Sequence, residues 1–129
     1  MAVILEQLTD DPIFLAQFQG DFGLQDVMKA YAFTESIMAN YPQQMVYGIH
    51  DIRETTITFP VIMDVIKERN LQVAGSHISE YLQVVYVGRS NMIDIVRDAL
   101  MKYNKTIPVF DTMDAALKAI NIGLLGKDA

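Results

Sequence analysis

His50 and Asp51 are the first residues to weigh for chemistry, because an imidazole beside a carboxylate is the raw material of general acid–base catalysis. They close a nearly continuous apolar segment, residues 45–52, that reads as a strand. Sites in parallel sheets gather beyond the carboxyl ends of strands, which gives the position interest. Successive strand residues point to opposite faces, however, so His50 and Asp51 should part rather than pair. Ser79 or Ser90 could complete a triad, but no spacing selects either. A histidine at such a place more often serves structure, through hydrogen bonds, than catalysis. The chain has two histidines, His50 and His77, no cysteine, and no HExxH, GxSxG, P-loop or GxGxxG pattern. No catalytic residue is assigned, and neither a metal nor a cofactor is expected.

A second constellation points to anions. Arg53 follows residues 45–52, and Arg89-Ser90-Asn91 follows a strand read as residues 82–87. If those strands are neighbours, two guanidinium groups converge on the start of the next helix, whose free N–H groups and positive dipole end suit a phosphate or carboxylate. The competing expectation is that Arg53 and Arg89 are solvated or paired with Glu54 and Asp94. Between them lies Arg53-Glu54-Thr55-Thr56-Ile57-Thr58. Its threonines are first of all turn and cap formers. Thr56 and Thr58 are also candidate phospho-acceptors, since a phosphate there would meet a helix N-terminus and nearby arginines and alter a docking surface.

These residues need elements to position them. Residues 3–8 and 13–19 read as two strands separated by Thr9-Asp10-Asp11-Pro12, a turn, and close enough to form a hairpin. The period then becomes helical: Leu24, Val27, Met28, Tyr31, Glu35 and Met38 share one face, with Asp26 in the first turn and Asn40-Tyr41-Pro42 as the stop. After residues 45–52, Thr58 is the expected cap of a second helix with Pro60 in its first turn, a stripe of Ile62, Val65, Ile66 and Arg69, and an exit at Asn70 and Gly75. Ser90 or Asn91 caps a third helix carrying Ile93, Val96, Leu100 and Met101; with Asn91, Asp94 would complete a capping box. A short strand at 107–110 follows. Thr112 caps the last helix, with Ala116, Leu117 and Ile120 inward. The order ββαβαβαβα implies an α/β fold: a mixed sheet with parallel central strands and right-handed crossovers. Helices are expected on both faces, a one-sided layer being the alternative.

The 129 residues form one expected domain, 1–129, with 51% hydrophobic and 20% charged residues. The opening MAVILEQLTDDP lacks a basic region and its apolar run ends at Glu6, so no signal peptide is read. No apolar stretch is long enough for a membrane span, and the absence of cysteine fits a reducing compartment, so the expected place is the cytoplasm. The net charge of −6 disfavours nucleic acid as a partner. Phe33 and Ile37 lie off the main stripe of the first helix, which suggests a second contact such as a homodimer interface.

The segments Gly48-Ile49-His50-Asp51-Ile52-Arg53, VVYVGRSNMIDIVRDAL and VFDTMDAALKAI, in this order of elements, resemble the STAS fold of anti-sigma-factor antagonists and their small bacterial relatives. The resemblance covers most of the chain. It implies a STAS-like fold and a non-catalytic regulatory or protein-interaction module in bacterial signalling, acting through the second helix and the strand-end loops. The antagonists carry a D-S-[ST]-G stretch at the start of the second helix, where the serine is phosphorylated. This chain has Thr58-Phe59-Pro60-Val61 there, without serine or glycine, which puts that switch in doubt. A small anionic-ligand binder using Arg53, Arg89, Ser90 and Asn91 is the alternative, and an enzyme using His50 a third reading.

Overall fold

Alternating apolar side chains along five short segments build one sheet whose two faces are both covered. The computed structural model describes residues 3–8, 11–21, 23–67, 80–101 and 105–128. Strands β1 (Val3–Gln7) and β2 (Ile13–Gly20) form the antiparallel hairpin. Helix α1 (Leu24–Met38), strand β3 (Val46–Thr55), helix α2 (Phe59–Lys67), strand β4 (Leu82–Val87), helix α3 (Asn91–Met101), strand β5 (Val109–Phe110) and helix α4 (Met113–Asp128) follow. The sheet order is β1-β2-β3-β4-β5, parallel from β2 onward. The ββαβαβαβα order and mixed sheet are those the residues predicted.

Register assigns the faces. Phe14, Gly48 and Val84 lie side by side, as do Ala16, His50, Tyr86 and Val109. This face packs against α1, α2 and α3 through Val27, Ala30, Tyr31, Ile62, Ile93 and Leu100. The opposite face, with Ile13, Tyr47, Ile49, Val85 and Val87, packs against Ala116 and Ile120 of α4. Helices therefore lie on both faces, three against one.

Local chemistry sets the helix starts. Asp26 reaches back to accept the Gly23 N–H at 2.9 Å, more than the dipole effect expected of it. Ser90 Oγ accepts the Met92 N–H at 3.2 Å and Thr112 Oγ1 the Ala115 N–H at 3.1 Å. Ser90, the first of the two expected candidates, is thus the cap of α3, which begins at Asn91.

Two expectations change. The buried face of α1 is Val27, Ala30, Tyr31, Thr34 and Ile37, rotated from the predicted stripe so that Glu35 faces water. Ile37 and Phe33 belong to a third cluster with Phe14, Val46 and Leu82, and the Phe14 and Phe33 rings meet edge to face at 6.1 Å. The residues that suggested a homodimer contact are thus used inside the chain. Strand β3 also runs on to Thr55, because Gln19 and Gly20 of β2 pair with Glu54 and Thr55 beyond a bulge. Arg53 therefore lies within the strand rather than past it, and His50 and Asp51 lie inside it rather than at its close.

Candidate functional site

The bulge in β3 organises the charged part of this edge. Gln17 pairs with Asp51 and Gln19 with Glu54, so Ile52 and Arg53 together oppose Phe18 alone. A bulge takes one amide out of the ladder, and Asp51 supplies it with a partner: Oδ1 accepts the Arg53 N–H at 3.1 Å. The same carboxylate accepts Arg53 Nε at 3.0 Å and Nη2 at 2.8 Å. Only 2% of the Asp51 side chain is exposed, against 45% for Arg53. Burial by itself would raise the Asp51 carboxyl, but the hydrogen bonds and charge of Arg53 outweigh it and hold the group below its ordinary value. The pair lifts the guanidinium in turn. The Arg53 stem crosses Gly88, where a Cβ would stand 3.1 Å from its Cγ and where φ is +111°.

β3 and β4 are neighbours, as convergence of the two arginines requires, with Asp51 opposite Val87. Arg89 nevertheless turns to Asp111, at 2.6 Å and largely in water. It borders an open hollow of about 280 Å³, lined also by Ser90, Ile93, Asp94, Arg97 and Val109. Arg97 approaches Asp94 at 4.0 Å. Arg53 does not line this hollow. The partners of Arg53 and Arg89 are thus Asp51 and Asp111, not Glu54 and Asp94. The first pair was open to sequence reasoning, since positions i and i+2 of a strand share a side. The second joins residues 22 apart and left no local signal. Arg97 was overlooked although Ser90, Asp94 and Arg97 stand at helical spacing.

On the neighbouring turn, Thr56, Thr58, Phe59 and Pro60 are exposed, Phe59 to 53%. Ile57 between them is buried in the cluster under α1, α2 and α3. Thr55 Oγ1 donates to the Gly20 carbonyl, and the Thr58 carbonyl accepts the Ile62 N–H at 3.2 Å to start α2. Thr56 and Thr58 therefore flank a buried anchor at a helix N-terminus.

His50 lies elsewhere. It is 3% exposed, on the face opposite Asp51, with the rings of Phe18, Tyr86 and Phe14 at 5.6, 5.7 and 6.3 Å. The imidazole is thus enclosed by aromatic rings, and the Ser90 hydroxyl is engaged in its cap. Ser79 and His77 lie outside the described residues, as do Arg69, Asn70 and Gly75. Among the described residues no three His, Asp or Glu side chains group as metal ligands, and no helix is long and apolar enough to cross a membrane.

No protein-family model matches the chain, and no curated protein does. Solved structures do. An uncharacterised protein of the DUF3478 family from Shewanella loihica, with a SpoIIAA-like fold, superposes with a TM-score of 0.59 at 19% identity over 91% of this chain and 90% of that one. An anti-sigma factor antagonist from Mycobacterium paratuberculosis superposes with a TM-score of 0.53 at 16% identity over 92% of each chain. The chain has a SpoIIAA-like, STAS-like fold, as the order of its elements predicted.

Proposed function

We propose that this chain is a non-catalytic regulatory module of the STAS-like kind, cytoplasmic and part of bacterial signalling, that docks a protein partner on the N-terminal end of α2. One observation carries the reading: Phe59 stands more than half exposed between Thr58 and Pro60, beside a buried anchor that holds the turn in place. Aromatic side chains, phenylalanine included, are enriched at the cores of protein interfaces. Thr56 and Thr58 are the proposed phospho-acceptors on the same patch, and a phosphate on either would add negative charge at a helix N-terminus. The solved anti-sigma factor antagonist of the same fold supports this class of function.

Native mass spectrometry of the chain isolated from its own host tests it. A stoichiometric protein partner is expected, retained by Arg89→Ala and lost with Phe59→Ser, with any phosphate mapping to Thr56 or Thr58. Equal retention by both variants would remove the docking site. The second reading, a small anionic ligand, has the hollow beside Arg89, Ser90 and Arg97 in its favour. Titration with inorganic phosphate, followed by amide shifts of residues 89–97, would reveal it.

A further inference from the structure

The two edges of the sheet are built differently. β5 has two residues and follows directly on Pro108, so that edge is short and begins beside a residue that cannot donate. β1 has five, Val3-Ile4-Leu5-Glu6-Gln7, with no proline, glycine, lysine or bulge, the usual guards of an edge. Its hydrogen bonds to β2 alternate along the strand. The Leu8 N–H donates to the Ile13 carbonyl at 2.9 Å, so Glu6 and Ile4, opposite Leu15 and Gln17, carry the ladder inward. The N–H and C=O groups of Val3, Leu5 and Gln7 therefore point away from the sheet, and no described residue bonds to the main chain on that side. Leu5 is half-buried against the cluster under α1. Ile4 lies on the α4 side, is 45% exposed and belongs to none of the three buried clusters.

We propose that β1 is a self-association edge: two copies of this chain pair their β1 strands antiparallel about Leu5 and join their sheets into one. A closed pair of identical chains is related by a two-fold axis, and one strand meeting its own copy side by side across that axis runs antiparallel to it. Centred on Leu5, Val3 of each copy faces Gln7 of the other, and Leu5 faces Leu5. These are the residues whose main-chain groups point outward, so each facing pair exchanges two hydrogen bonds. The strand is its own complement in charge as well. Its one ionised side chain, Glu6, meets Ile4 of the other copy instead of a second Glu6. The two Leu5 side chains complete each other's cover, and the two Ile4 side chains become diagonal neighbours on the α4 side. A second β1 thus matches this edge in length, register and charge. The inference is independent of the docking site at α2.

Sedimentation of the full chain over a range of concentrations tests it, with Leu5→Pro as the variant. The Leu5 N–H donates nothing to β2, so proline removes an outward donor without breaking the ladder, and an edge strand tolerates it. The native chain should reach twice the mass of one chain. Leu5→Pro, folded by circular dichroism, should self-associate about tenfold or more weakly. A native chain that stays monomeric at every concentration overturns the proposal and leaves the edge to a strand of another protein. A folded Leu5→Pro that dimerises as the native chain does overturns it too. If Leu5→Pro does not fold, the absence of cysteine allows a second test. Ile4→Cys and Glu6→Cys chains mixed in air should give the mixed disulfide well above the yield of either variant alone, since positions 4 and 6 face each other across the axis. Equal yields overturn the proposal.

Discussion

Gly48 lies under the Phe14 ring, and a Cβ built there would come within 2.3 Å of it, far inside contact distance. Phe14 is fully buried, so its ring has no free direction in which to retreat. Gly48→Ala should therefore destabilise the fold by about 1–3 kcal/mol, read as a lowered Tm with native secondary structure. At the same scale, Arg53→Met strands the Asp51 carboxylate. The loss should be about 2–3 kcal/mol, less than for a wholly buried pair because the guanidinium is half in water. The pH dependence has a definite sign. Asp51 titrates below its ordinary value, so its contribution is complete above about pH 4 and disappears as pH falls through the lowered value. Urea melts between pH 7 and 2 should show the deficit of Arg53→Met against the native chain largest near neutral pH and shrinking on acidification, because the stranded Asp51 carboxylate is relieved by taking up a proton.

Each of α3 and α4 begins with one hydroxyl accepting one orphan N–H. Ser90→Ala and Thr112→Ala should each cost about 1 kcal/mol, and the double variant their sum, since the caps serve separate helices. Chemical denaturation of the three variants checks this. Elements of this kind were legible in the residues: Ser90 and Thr112 announce helices, LQVVYV announces a strand, and period changes give the order. The buried face of α1 was less so, because Ala30 is small and Thr34 is polar, Thr34 returning its hydroxyl to the Ala30 carbonyl at 2.7 Å. The extension of β3 was not legible at all. It depends on a bulge, and a bulge exists only between two strands. That same bulge gives Asp51 its amide and Arg53 its place, so the ion-pair partner of Arg53 is one that the sequence reading did not offer.

At the scale of the whole molecule, the helix layer and the sheet share cooperative packing, but the edges do not share it equally. Strand β5 has two residues, Phe110 packed on the α4 side and Val109 on the side of α1, α2 and α3. In native-state hydrogen exchange, amides of β5 should open at lower free energy than those of β2 and β3. The reverse ranking would mean that the sheet is held from its β5 side. The strand order of the sheet is also its order along the chain. No later strand has to be inserted between two earlier ones. During synthesis each new strand meets an edge already complete, so the protein can fold as it emerges from the ribosome, adding one strand and one helix at a time. A chain arrested before β5 would already hold four adjacent strands in native order, lacking only the last edge.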